Sequence, residues 1–363
     1  MTDQKDTKIS YINTAKALGI IAVVIGHINL PISDLIYLYH MPLFFFLSGY
    51  VYRDSYSLAP MSLIKKRLKS LYLPYIKYEL ILLILHNVFY KNHVYDITVR
   101  NISPYSLQQI LINAQNILSF NGHEDLGGAL WFLPALFMVN VLFCLYNYGI
   151  ERFGLKSKKQ LMLAGLVACS FVLGLLRTKY GIPQFLENNT ALVAISIYYA
   201  GYLFRKYEQK IPFNIIYAGI SFVVMILMWR YFKIKVSMVY NKYSNPTFFA
   251  ISWIPGVYLH LYLSRLIDNK KNTLLNYIGS STMPILAFQF LAFKFVTAIQ
   301  VYLWNLAPIK LATFPVLETG HGWWVIYAIA GIFIPLLGKY LCDKTYLLIT
   351  KNVLRSNILK QDM

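Results

Sequence analysis

Residues 11–27 read YINTAKALGIIAVVIGH, an apolar run that carries two ionisable side chains, Lys16 and His27. A run of this length predicts a membrane-spanning helix, in which an ionisable residue is costly unless it faces a polar cavity or a partner. At about 3.6 residues per turn, both side chains lie on one helix face, roughly 16 Å apart along the axis. The run therefore predicts a polar cavity beside the first span. The alternative is that Lys16 extends to the membrane interface and His27 bonds a neighbouring helix.

The composition around this run is that of a membrane protein. Of 363 residues, 57% are hydrophobic and only 13% are charged, about half the charged fraction of an average soluble protein. The sequence therefore predicts an all-α integral membrane protein, a bundle of about ten transmembrane helices forming one domain over 1–363. Apolar windows place the spans near 9–28, 35–52, 72–90, 128–149, 160–176, 190–204, 213–230, 247–264, 274–300 and 322–348.

The net charge of +19 is spread over short basic clusters between the apolar windows and forms no single basic domain. This pattern favours the positive-inside rule over nucleic-acid binding. With the N-terminus inside, about 22 basic residues fall in inner segments and about 9 in outer ones. Both termini are thus predicted to be cytoplasmic. The three cysteines are scattered, which indicates neither a disulfide framework nor a metal site.

A second histidine follows the first across a short outer turn, in the run HMPLFFFLSGY at residues 40–50. Two histidines at one depth on adjacent antiparallel helices, His27 and His40, could line the same cavity. A neutral imidazole can accept a hydroxyl proton near neutral pH. The pair therefore predicts a general-base site.

These residues resemble the membrane-bound acyltransferase family 3, which includes bacterial polysaccharide and sugar O-acetyltransferases. The resemblance rests on Lys16 eleven residues before His27, on Gly26 directly before His27, and on the run at 40–50. Further matches are Arg67, LPY at 73–75, LWFLPAL at 130–136, YYAGY at 198–202 and YIGSST at 277–282.

The resemblance implies a membrane O-acyltransferase that moves an acyl group, usually acetyl, from acetyl-CoA to a carbohydrate hydroxyl, without a metal. The acceptor would be an envelope, capsular or exopolysaccharide sugar or its lipid-linked precursor, modified at the cytoplasmic membrane. His27 matches the family's essential histidine, a proposed general base, and direct transfer and an acyl-histidine intermediate both stay open. Lys16 matches a basic position that would hold the donor or polarise the site.

Other site residues follow from the same resemblance. Arg67 and its neighbour Lys66 would bind CoA phosphates, although ordinary positive-inside charges explain them equally well. Residues expected to bind the acceptor are His40, Ser48, Trp131 and Asn13. Asn13 stands where related sequences tend to carry Asp, and Gln289 where a late span often carries His. Lys294 in the ninth span could face the same cavity.

Two alternatives stay open. A multi-span transporter or flippase for a glycan-related substrate would also place ionisable residues along its path, but no internal repeat is found in the sequence. The long outer segment at 91–127, with its polar end at 121–125, is either functional or an interfacial cap over the bundle.

Overall fold

The computed structural model describes residues 2–183, 188–243, 245–268 and 273–361. Over these ranges the regular secondary structure is helical apart from a short antiparallel hairpin, and loops join the elements. The helices before the long outer segment are α1 Thr2–Gly26, α2 Ser33–Tyr37, α3 His40–Tyr50, α4 Pro60–Arg67 and α5 Leu73–Lys91. Those that follow are α6 Ile97–Arg100, α7 Leu107–Leu118, α8 Phe132–Arg152, α9 Lys159–Lys179, α10 Asn188–Tyr207, α11 Ile215–Ile226, α12 Pro246–Ile267, α13 Thr273–Ser280, α14 Thr282–Leu303 and α15 Trp323–Gln361. The strands are β1 Val236–Ser237 and β2 Lys242–Tyr243.

The predicted helical membrane fold is confirmed in outline. Within the described ranges, the segments long and apolar enough to cross a membrane are Asp125–Arg152, Lys159–Lys179, Thr282–Leu303 and Trp323–Leu348. The apolar stretches of α1 and α11 are shorter. The ten-span arrangement and the cytoplasmic placement of both termini stay predictions, and the predicted inner segment at 265–273 lies partly outside the described residues.

Two predicted spans are interrupted by non-helical residues. The window at 35–52 holds α2 and α3, which are separated at Leu38 and Tyr39, so that His40 begins a helix of its own. The window at 274–300 holds α13 and α14, which are separated at Ser281. Apolar windows do not register such breaks, because the side chains on either side of each break remain apolar.

Helix α1 lies at the centre of the bundle and packs against α3, α12, α13, α14 and α15. Ala15, Ala17, Val23 and Val24 are each fully buried. Since α1 is surrounded by other helices along this stretch, Lys16 and His27 face protein and the cavities between helices.

Helices α3 and α10 approach so closely that a glycine is required on each. A Cβ on Gly201 would collide with the backbone carbonyl of Phe46, and a Cβ on Gly49 would collide with that of Tyr198. Small residues at crossing points allow this kind of backbone contact in membrane bundles. The contact fixes the position of α3, the helix that begins at His40.

Gly201→Ala is therefore expected to destabilise the protein by about 1–3 kcal/mol or more, because the added methyl group meets a rigid carbonyl. The measurement is the midpoint of thermal unfolding in detergent. Gly219→Ala on α11 is the matched control, since a Cβ there meets nothing within 4 Å. Equal midpoints for the two variants would contradict the close contact between α3 and α10.

Candidate active site

Two adjoining cavities lie beside α1. The first, called the His27 cavity, has a volume of about 560 Å³ and includes in its lining His27, His40, Arg100, His123, Asp125 and Trp131. The second, called the Lys16 cavity, has a volume of about 210 Å³, and its polar lining residues are Lys16, Ser48, Arg67, Ser70 and Thr282. The sequence predicted one polar cavity, and the structure divides it into two.

His27 follows Gly26, the last residue of α1, and its ring Nδ1 lies 3.1 Å from Oε1 of Gln289. The ring centroid of His40 lies 6.5 Å away, and Nδ1 of His40 donates to the backbone carbonyl of Ile36 at 2.9 Å. Because each ring donates from Nδ1, each neutral ring keeps the lone pair on Nε2. Either histidine can therefore accept a proton from a hydroxyl group in the cavity.

Charged and aromatic groups form another wall of the His27 cavity. Arg100 makes an ion pair with Asp125, and its guanidinium lies 4.0 Å from the ring centre of Phe314. Lys294 does not line either cavity; its ammonium donates at 2.7 and 3.0 Å to two backbone carbonyls in the segment just before Phe314. Lys294 thus holds in place the segment that carries Phe314.

The chain segment before Asp125 is anchored by a buried polar cluster. The carboxylate of Glu124 lies 2.8 Å from Nδ1 of His86, whose Nε2 lies 3.0 Å from the carbonyl of Ser103. The backbone N–H of Glu124 donates to Glu79 at 2.8 Å. Burial lowers the pKa of the neighbouring His123, so its ring faces the cavity uncharged at neutral pH.

The Lys16 cavity is positively charged. The charged neighbour of Lys16 is Arg67, and in the described part of the chain neither side chain forms an ion pair with a carboxylate. Within the same part, Nε of Arg67 and Oγ of Ser70 are buried without a hydrogen-bond partner. Ser48 also lies here, where its hydroxyl accepts from Asn140 at 3.3 Å. Unneutralised cations with free donors favour an anionic ligand.

The two cavities meet at a pair of apolar side chains. Met41 and Leu286 line both the His27 cavity and the Lys16 cavity. A long, narrow ligand that passes between these two side chains would reach from Arg67 to His27. The shared face of α1 that the sequence predicts for Lys16 and His27 is consistent with this path.

Asn13 and Lys66, like Lys294, do not line either cavity as the described residues define it. Asn13 donates from its amide to the backbone carbonyl of Asn276 at 3.0 Å, which ties α1 to α13. Lys66 is exposed and donates to the hydroxyl of Tyr56 at 2.9 Å. Their assignment to substrate and donor binding therefore has no support from the geometry.

Several side chains at the site were not predicted as site residues, among them Arg100, His123, Asp125 and Gln289. Arg100 and Asp125 come from the segment at 91–127. The length and the polar end of this segment are the sequence features that indicate a role in the site. In the resemblance Gln289 is only a departure from the family pattern, whereas in the described part of the chain its side chain is the hydrogen-bond partner of His27.

Comparison with known proteins identifies the family of the chain. No curated protein and no solved structure shows a significant match to the chain. The model of one protein family, described as an acyltransferase domain, matches residues 9–340 and so covers both cavities. The chain therefore belongs to the acyltransferase 3 family, as a membrane acyltransferase.

Proposed function

We propose that this acyltransferase O-acetylates a carbohydrate, with acetyl-CoA as the donor. The acceptor is an envelope, capsular or exopolysaccharide sugar or its lipid-linked precursor, and the enzyme acts in the cytoplasmic membrane. The observation that carries this proposal is the pair of adjoining cavities. One holds two cations that no described carboxylate pairs with, and the other holds a histidine whose Nε2 has no hydrogen-bond partner among the described residues.

The Lys16 cavity suits the donor. CoA carries phosphates, and Lys16 and Arg67 provide two positive charges that no described carboxylate neutralises. Guanidinium groups bind phosphates through charge-assisted, often bidentate hydrogen bonds. Part of the donor would bind at this end, and its thioester would extend between Met41 and Leu286 towards His27.

The His27 cavity suits a sugar. Asp125 and Arg100 supply an acceptor and several donors for hydroxyl groups, and Trp131 and Phe314 supply apolar ring surfaces. The mixture of charges in this wall makes the cavity polar without a strong excess of one sign. Under the positive-inside orientation, the donor enters from the cytoplasm and meets the acceptor towards the outer half of the membrane.

The chemistry requires one base. The acceptor hydroxyl gives its proton to Nε2 of His27 while its oxygen bonds to the thioester carbonyl carbon. The tetrahedral oxyanion then collapses, the carbon–sulfur bond breaks, and the sulfur takes the proton from Nε2. The products are an acetyl ester and free CoA thiol, and His27 returns to its starting form.

The test is thiol release from acetyl-CoA by the purified protein in nanodiscs, with and without a panel of sugars and polysaccharides. We expect thiol release that depends on the acceptor, with mass spectrometry showing one added acetyl group on that acceptor. Absence of thiol release with every acceptor, together with substrate accumulation in vesicles, would instead support the transporter alternative.

A further inference from the structure

Gln289 is the protein side chain that holds His27. It lies in α14, its side chain is fully buried, and its Oε1 is 3.1 Å from Nδ1 of His27. The next residue, Phe290, packs on the same ring with a centroid distance of 4.9 Å. The hydrogen bond to the imidazole and its shortest aromatic contact among the described residues therefore both come from α14.

The orientation of the Gln289 amide is fixed by a second hydrogen bond. Its Nε2 donates to the backbone carbonyl of Leu286 at 3.2 Å. Because an amide nitrogen only donates and an amide oxygen only accepts, the oxygen must face His27. Nδ1 of His27 is then the donor, and the neutral ring is protonated at Nδ1 and unprotonated at Nε2.

We propose that Gln289 is a positioning residue for the acyl transfer, which keeps His27 in the tautomer with its basic Nε2 free. This inference rests on the proposed function. No described residue bonds Nε2 of His27, and the ring lines the cavity assigned to the acceptor. When Nε2 takes the hydroxyl proton, Nδ1–H remains on the amide oxygen and no proton moves to Gln289.

The amide fills the place that a carboxylate fills in a Ser–His–Asp triad. A neutral partner sets the tautomer and the ring angle without strongly favouring the charged form of His27. His40 is held differently, because its Nδ1 bonds the backbone carbonyl of Ile36, which a side-chain substitution at 36 does not remove. A substitution at Gln289 therefore changes the hydrogen bond of His27 and leaves that of His40 in place.

Gln289→Leu keeps a similar volume and removes the acceptor. We expect kcat to fall about 10- to 100-fold, because His27 loses the partner that sets its tautomer. The KM values for acetyl-CoA and for the sugar should stay within about twofold, since the residue touches neither substrate. A purely structural role would lower the amount of folded protein and leave kcat per folded molecule unchanged.

Gln289→Glu gives an independent readout. A carboxylate against Nδ1–H stabilises the imidazolium, so the base is protonated up to a higher pH. The acidic limb of the pH–rate profile should move to higher pH by about one unit or more. The other titratable or charged groups that share the cavity, His40, Tyr37, Arg100, His123, Asp125 and Tyr240, are the same in both proteins.

Gln300→Leu is the matched control. Gln300 is also a fully buried glutamine of α14, and it bonds Tyr327 and the backbone carbonyl of Glu318, away from both cavities. This variant should lose thermal stability while keeping the wild-type kcat per folded molecule and the wild-type pH–rate profile. The comparison separates loss of a buried hydrogen bond from loss of the bond to His27.

The tautomer can be measured in the wild-type protein with ¹⁵N-labelled histidine by solid-state NMR, with the His27 signal assigned by its absence in His27→Gln. We expect protonated Nδ1 and unprotonated Nε2. The reverse tautomer would overturn the proposal, as would wild-type kcat in Gln289→Leu together with an unshifted profile in Gln289→Glu. Thiol release by the wild-type protein in these assays keeps the proposed function intact in either case, whereas its absence with every acceptor would count against the function itself.

Discussion

Replacing His27 with alanine is expected to lower kcat/KM for acetyl transfer by about 10²- to 10⁴-fold, the usual contribution of a general base. The ring lies at the end of α1, where Gln289 and Phe290 hold it against the His27 cavity. The variant removes the proton acceptor and leaves the donor cavity intact. The KM for acetyl-CoA should therefore change much less than kcat, as measured by thiol release at saturating sugar.

Two other histidines make this test specific. His260→Gln is the structural control, because that buried ring bonds the backbone carbonyl of Ala15 and lines neither cavity. His40→Ala tests the alternative base, since Nε2 of His40 also lacks a partner among the described residues and the ring of His40 is 6.5 Å from that of His27. Activity that survives His27→Ala and disappears in His40→Ala would move the base to His40.

The sequence was sufficient for the helical class of fold and for the first helix. The spacing of Lys16 and His27 depends only on the geometry of one helix, so a shared face could be predicted without tertiary information. Each of the two residues does line a cavity. Trp131 and His40 also line the His27 cavity, and their roles in acceptor binding stay predictions.

Contacts between distant parts of the chain could not be predicted in the same way. Gln289 is separated from His27 by 262 positions in the chain. The helical periodicity of the apolar residues in α14 does not show which polar residue of this helix contacts the end of α1. Asn13 is the converse case, because its place in the first span suggested the site, whereas packing of α1 on α13 turns its amide to Asn276. Side-chain direction between helices follows from tertiary packing, which one sequence does not reveal.

The basic cluster at the end of α4 shows the same limit at short range. Arg67 and Lys66 are adjacent and equally charged, so composition assigns both to the donor. In the helix they point in different directions: Arg67 lines the Lys16 cavity, and Lys66 bonds the hydroxyl of Tyr56 at the surface. Substitutions at Arg67 and at Lys66 can therefore distinguish donor binding in the Lys16 cavity from a general effect of positive charge.

Arg67→Ala is expected to raise the KM for acetyl-CoA about 10- to 100-fold, because it removes a charge-assisted hydrogen bond worth about 1.5–3 kcal/mol. Lys66→Ala should stay within about twofold of the wild type. Lys16→Met should resemble Arg67→Ala, since both side chains line one cavity and neither is paired with a described carboxylate. The measurement is the dependence of thiol release on acetyl-CoA concentration at fixed ionic strength, because salt screens the attraction between cations and phosphates.

A donor without phosphates shows whether the charge of Arg67 acts on the phosphates. Acetyl-pantetheine keeps the thioester and lacks the anions, so the wild type should lose affinity for it while Arg67→Ala loses little more. The two proteins would then have similar KM values for acetyl-pantetheine and very different values for acetyl-CoA. If Arg67→Ala raises the KM values for both donors by the same factor, Arg67 supports the shape of the cavity and does not bind phosphate. Equal effects of Arg67→Ala and Lys66→Ala on acetyl-CoA would indicate that general positive charge at this end of the bundle, and not the Lys16 cavity, attracts the donor.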